Sequence, residues 1–159
     1  MPSDYVKDLV DHKRRVASYL ESVANELFRR AAEHDNSKFS PEEYDIYDEV
    51  FPELQKYAYG TPELKAAYER LGPALKHHFQ VNDHHPDHFA AGVDGMNLIQ
   101  LIEMVCDWLA ASERSKTHIT TGLSINKERY HIDDQLFEAI KSTMMRLAPG
   151  KFLVIDPVL

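Results

Sequence analysis

Residues 4–33 contain neither glycine nor proline, and this uninterrupted segment constrains the fold more than any other feature. Its apolar side chains recur at steps of three and four residues, which is the spacing of one face of an α-helix. They are Val6, Leu9, Val16, Leu20, Val23, Leu27 and Ala31. Little elsewhere in the chain has the two-residue alternation of strands. The sequence therefore predicts an all-α protein, folded as a compact single-domain helical bundle.

Turn and capping signals divide the rest of the chain. Ser40-Pro41-Glu42-Glu43 offers an N-cap hydroxyl, a first-turn proline and a capping-box glutamate. Gly72-Pro73 interrupts a later helix, and Asp133 is a candidate N-cap for the last one. The predicted segments are helices at about 41–57 and from 62, a short helical piece with His77 and His78, an ordered loop at 82–95, helices at 96–114 and 134–147, and an extended strap at 152–155.

Length, charge and cysteine content limit the class of protein. The 159 residues suit one domain, with the recognisable motifs between about 8 and 116 and a C-terminal stretch at 117–159 that carries none. A single cysteine, Cys106, excludes an internal disulfide and suits a reducing compartment. The net charge of −8 argues against general nucleic-acid binding. With neither a membrane-spanning run nor a signal peptide, we expect a cytoplasmic protein.

Five of the nine histidines fall between His77 and His88. Imidazoles crowded into so short a segment repel one another when protonated, whereas a bound cation uses them in their neutral form. A solvated polar loop is the alternative, but Phe79, Val81 and Phe89 predict anchoring in a core. We therefore predict metal binding by at least two of these histidines. The sequence leaves open whether His77 or His78 is the ligand.

Two further motifs in the sequence contain carboxylate side chains. His34-Asp35 stands where the first helical pattern ends, so adjacent side chains can converge on one ion, although for this pair taken alone helix-end electrostatics and turn capping are the better explanation. Glu103 and Asp107 lie four residues apart on one face of an apolar helix. An acid on such a helix is costly unless it is paired, bound to metal or turned to water.

The order of these residues resembles the HD-domain superfamily, in particular its two-metal members. His34-Asp35-Asn36-Ser37-Lys38 matches the HDxxK form of that superfamily. The blocks HDNSKFSPEE, HHPDHF and EMVCDW look like those of small HD-like proteins often encoded by phages and bacteria. The resemblance implies the following metal ligands: His12, His34, Asp35, His78, His84, His85 and Asp107.

The resemblance also implies a function, which is phosphohydrolysis of a nucleotide through a metal-activated water in a bacterial or phage-infected cytosol. One or two divalent ions (Mn, Fe, Zn, Ni, Co or Mg) would be held, and Asp35 would bridge a pair. Lys38, Arg15 and Arg114 would contact the substrate, with His88 as acid or base and Glu103 behind the ligands. A di-iron oxygenase of a small substrate and a non-catalytic, metal-stabilised binding protein are the alternatives. Self-association is left open.

His12 conflicts with a straight first helix. On such a helix His12 and His34 would lie about 40° apart around the axis and about 33 Å apart along it, at about 1.5 Å per residue. In HD domains two antiparallel helices, joined by a turn, bring the corresponding residues together. We therefore expect a break near residues 21–25, although residues 18–25 contain neither glycine nor proline.

Overall fold

The computed structural model describes residues 3–114 and 117–152, and there it contains six α-helices and no β-strand. The all-α prediction is confirmed for these residues, while most of the predicted strap at 152–155 lies outside them. The chain divides into two units, Met1–His34 and Asp35–Leu159, each described by itself below. The helices are α1 (Asp4–Glu33), α2 (Tyr44–Lys56), α3 (Pro62–Val81), α4 (Leu98–Arg114), α5 (Ile119–Arg129) and α6 (Asp134–Leu147).

The first unit is one continuous helix. The Ser3 hydroxyl caps α1 by accepting the Val6 amide at 3.4 Å, and the helix then runs unbroken to Glu33. The predicted break near residues 21–25 is therefore wrong. Without glycine or proline nothing weakens the backbone ladder there, and the Ser22 hydroxyl donates back to the Ser18 carbonyl at 2.9 Å instead of opening a turn.

In the second unit, α2 and α3 pack around a small core of Val50, Ala67 and Leu71. Thr61 caps α3, since its hydroxyl accepts the Leu64 amide at 3.3 Å. The predicted interruption at Gly72 is confirmed, because this residue has φ 43° and ψ −116° inside α3. That conformation suits glycine, and the kink sets the direction of the last turns of the helix.

A larger core joins α4, α5 and α6. Its buried side chains are Val93, Met104, Val105, Leu109, Ile119, Leu123, Ile132, Ile140 and Met144. Asp133 caps α6 as predicted, with its carboxylate accepting the Leu136 amide at 2.9 Å. Sequence periodicity did not reveal α5, whose Thr-Thr-Gly start disfavours a helix in isolation. Burial of Ile119 and Leu123 stabilises this helix and compensates for the low helix propensity of its first residues.

The loop between α3 and α4 is ordered, as predicted, and contains 3₁₀ turns at Pro86–His88 and Gly92–Gly95. The Asp83 carboxylate accepts the Gln100 amide at 2.6 Å, and Asp87 accepts the Tyr130 hydroxyl at 2.9 Å. Gly95 lies so close to Phe89 that a Cβ there would approach the Phe89 Cβ to 2.8 Å. These contacts hold the segment that carries His84 and His85.

Among the described residues, none of the helices combines the length and the hydropathy that a membrane-spanning segment needs.

Candidate metal centre

Four residues of the second unit bring metal-ligand atoms together. They are Asp35, His78, His84 and His85, and one donor atom of each lies within 4.8 Å of the others. Asp35 has φ 58° and precedes a 3₁₀ turn at Asn36–Phe39, while His78 occupies the last turn of α3. His84 and His85 come from the loop that follows α3. The local turn at Asp35, the end of α3 and the ordered loop thus converge on one point.

The spacing of the donor atoms suits a single ion. His78 Nε2 lies 2.9 Å from His85 Nε2 and 3.2 Å from Asp35 Oδ1, which in turn lies 3.4 Å from His84 Nε2. Ligands about 2.0–2.1 Å from a tetrahedral ion are roughly 3.3 Å from one another. Three imidazoles and one carboxylate form a donor set that suits zinc, iron, manganese, cobalt or nickel. The residues present therefore fit a divalent transition metal.

The two oxygens of Asp35 have different neighbours. Oδ1 faces His78 and His84, while Oδ2 accepts from the Lys38 ammonium at 2.5 Å. Burial acts to raise the pKa of the Asp35 carboxyl, but hydrogen bonds from His78 and His84 and the charge of Lys38 outweigh it and hold that pKa far below its usual range. Asp35 is therefore an anionic donor at any physiological pH.

A second layer of carboxylates lies behind two of the imidazoles. Glu43 Oε2 lies 2.9 Å from His78 Nδ1, and Glu103 Oε1 lies 3.3 Å from His84 Nδ1. The other oxygen of Glu43 lies 2.8 Å from His77 Nδ1. Of the two neighbouring histidines, the four-ligand group thus contains His78 and not His77. The predicted role of Glu43 in a capping box is wrong, because the chain turns at residues 41–43 and α2 begins only at Tyr44.

His85 is held in its neutral form. Burial and the neighbouring His84 and His78 lower the pKa of its imidazole to about 3, although Asp107 and Asp35 act in the opposite direction. A neutral imidazole is the form that coordinates a metal. The environment of His85 therefore favours the ligand state before any ion binds.

We expect the metal-free protein to lose stability as the pH falls from about 6.5 to about 3. In that window the unfolded chain protonates His85 and the folded chain does not, so the slope contributed by this residue approaches 1.4 kcal/mol per pH unit, roughly one proton's worth. Below about pH 3 both the folded and the unfolded chain carry the proton on His85, so this residue lowers the free energy of unfolding no further. The contribution of Asp35, whose folded pKa is lowered, is lost only below its unfolded pKa of about 3.9.

Urea unfolding in the presence of a chelator, at intervals between pH 7 and 4, measures this slope. A His85→Gln variant, which cannot be protonated, is expected to show a flatter dependence in the same window. Equal slopes for the two proteins would contradict the assignment.

Two predicted ligands belong to the first unit. His12 lies inside α1 and His34 is its C-cap, so the unbroken helix separates them by about 33 Å along its axis, at about 1.5 Å per residue. One ion cannot bind both, and the predicted shared site for His12 and His34 is wrong. Arg15, a predicted substrate contact, is an exposed residue of the same helix.

The remaining predicted residues lie outside the four-ligand group. Asp107, on α4, is half-buried and near enough to His85 for its charge to act on that imidazole's pKa. Arg114 is exposed at the end of α4, about 10 Å along the helix axis from Asp107 at about 1.5 Å per residue. His88 is exposed, and its Nδ1–H donates to the Phe79 carbonyl at 3.1 Å. The sequence placed all three in the site, but the structure leaves the side chains of His88 and Arg114 exposed, whereas Asp107 acts on the pKa of a ligand.

Besides Glu43, the sequence analysis missed two polar residues beside His78. Asn82 donates from its amide to the Ser37 hydroxyl at 2.7 Å and to the His78 carbonyl at 2.8 Å. Ser37 Oγ lies 3.1 Å from His78 Nδ1. These contacts tie the turn after Asp35 to the end of α3. The only available signal was the position of Ser37 within the HDxxK block, since nothing in the local sequence around Asn82 indicates a partner so far along the chain.

Comparisons with known proteins identify the family of this chain but assign no activity to it. Neither the curated proteins nor the solved structures include a match to this chain. One family model matches residues 1–146, which is nearly the whole chain and includes every residue of the four-ligand group. The protein therefore belongs to the family of unknown function DUF5662.

Proposed function

We propose that the protein is a metal-dependent phosphohydrolase of the HD type, acting on a nucleotide. The observation that carries the proposal is the convergence of Asp35, His78, His84 and His85 on one point. Carboxylates behind His78 and His84 add support, because metal-ligating histidines commonly donate their second ring N–H to a carboxylate. The nucleotide substrate follows from the resemblance of the HDxxK block and its neighbours, and the substrate could be a nucleoside mono- or triphosphate or a cyclic nucleotide.

The chain's own residues have distinct parts in this proposal. Asp35 supplies the only negative charge among the four ligands, and the imidazoles hold the ion in a largely buried setting. Lys38, whose ammonium lies beside Asp35 Oδ2 and 5.4 Å from the centroid of the Tyr47 ring, would neutralise a phosphate oxygen as a point charge. A bound divalent ion would lower the pKa of a water molecule and offset the charge of the phosphate.

If the bound ion is zinc, the number of protein ligands favours a second candidate function. Four donors fill a tetrahedral shell, and closed shells of this kind are structural. An ion that prefers six ligands, such as manganese, iron, cobalt or nickel, would keep two positions for water and substrate. A metal-stabilised, non-catalytic binding protein is therefore the alternative, and the coordination number separates the two.

The test is elemental analysis of protein purified without chelator, followed by reconstitution with manganese, iron, cobalt, nickel or zinc. Each form is incubated with nucleoside mono- and triphosphates and with cyclic nucleotides, and the products are separated by chromatography. Chromatography is needed because opening a cyclic nucleotide releases no phosphate. A chelator-treated sample is the blank.

We expect one tightly bound ion per chain and hydrolysis of at least one nucleotide class, with a six-coordinate metal more active than zinc. Bound metal without hydrolysis under any of these ions would overturn the enzymatic proposal in favour of the structural site. A wild-type protein that binds none of the five metals would overturn both.

A further inference from the structure

Glu43 is a buried carboxylate that lies between two imidazoles. Its side chain is 0% exposed, and that of His78 is 3% exposed. Its two oxygens lie 2.8 Å from His77 Nδ1 and 2.9 Å from His78 Nδ1. A carboxylate taken out of water is costly unless its oxygens are hydrogen-bonded, so this arrangement requires donors at both imidazoles.

The chemistry of the contact sets the orientation of His78. A carboxylate only accepts hydrogen bonds, so the proton of His78 that faces Glu43 lies on Nδ1. The other ring nitrogen, Nε2, then faces Asp35 Oδ1 at 3.2 Å and His85 Nε2 at 2.9 Å. This is the nitrogen that belongs to the four-ligand group.

His77 completes the arrangement. Because it occupies the second oxygen of Glu43, the carboxylate is held at both ends and cannot rotate away from His78. His77 is partly exposed, with a side-chain accessibility of 33%, so it anchors Glu43 from the surface side. His77 and His78 thus contact different oxygens of the same carboxylate, and their roles differ. His77 anchors Glu43, and His78 belongs to the four-ligand group.

We propose that Glu43 is a positioning residue that presents His78 Nε2 to the metal ion by holding the Nδ1 proton and the ring orientation. This inference rests on the proposed metal site, and it adds a residue that is not among the predicted ligands. Glu43 does not ligate the ion in this proposal. It acts only through His78.

The test compares cobalt affinity, measured by competition with a chromophoric chelator, in the wild type and in Glu43→Met, Glu43→Gln and Glu42→Met. Methionine fills similar volume but accepts no hydrogen bond of comparable strength, so we expect affinity to fall by about 10- to 100-fold, the usual cost of losing such a partner. Glutamine keeps one acceptor oxygen and should restore part of the loss. Glu42 is the exposed neighbour, and its variant should bind cobalt like the wild type.

A measurement without metal keeps the inference testable where a variant folds poorly. Nitrogen-15 NMR of the metal-free wild type should show a proton on Nδ1 of His78. A bare Nδ1 with the proton on Nε2 would overturn the inference, as would equal cobalt affinity in Glu43→Met and the wild type, since packing alone would then suffice. A wild type that binds no cobalt would overturn the metal site itself and this inference with it.

Discussion

Asp35→Asn is expected to weaken cobalt binding by more than about 100-fold, beyond the 10- to 100-fold usual for residues that only support a ligand. Asp35 is the one anionic member of the four-ligand group, and its Oδ1 lies beside both His78 and His84. Asparagine keeps the shape but loses the charge that balances a divalent ion. The nucleotide hydrolysis that we propose should disappear together with the metal.

The matched control is Asp94→Asn, in the connection between α3 and α4 that also contains the ligands His84 and His85. Asp94 is exposed and lies outside the four-ligand group, so removing its charge should leave the cobalt affinity unchanged. Circular dichroism of both variants checks that the helices are retained. An Asp35→Asn variant that is folded and binds cobalt as tightly as the wild type would remove Asp35 from the site.

Met144→Ala is expected to lower the free energy of unfolding by about 2–5 kcal/mol. The Met144 side chain is 0% exposed and packs in the core shared by α4, α5 and α6. Truncation to alanine removes buried apolar surface and leaves a cavity that the surrounding helices fill only in part. Urea unfolding followed by circular dichroism gives the difference.

Met145→Ala provides the comparison, because the adjacent methionine of the same helix is 46% exposed. The same chemical change there should alter the unfolding free energy by no more than roughly 0.5 kcal/mol. Similar losses at the two positions would mean that α6 does not pack through the face that contains Met144.

Local sequence was sufficient where a short-range signal sets the structure. Asp133 begins α6 as expected, because an N-cap bond joins residues only three apart. Gly72 marks the kink because its backbone conformation is strained for any other residue. The straight course of α1 was also present in its own residues, and the expected break came from resemblance to proteins that turn there.

Local sequence was insufficient where a helix depends on burial. In the segment Ile119–Arg129, two β-branched threonines and a glycine follow the first residue, and all three are weak helix formers. Its stability comes from packing Leu123 against α4 and α6, and those partners are remote in the chain. The residues of this segment taken alone therefore do not predict α5.

The sequence by itself determined that the protein is helical, where most of its helices begin, and that histidines and Asp35 are the candidate ligands. These properties depend on residue type and on spacing within a few positions. Only the tertiary structure chose His78 over its neighbour His77, because adjacent residues on a helix point about 100° apart and the packing decides which one faces the cluster. Only the tertiary structure shows that Glu43, which the sequence predicts as a capping residue, is the partner of His78. The two residues are 35 positions apart and come into contact only when the chain has folded.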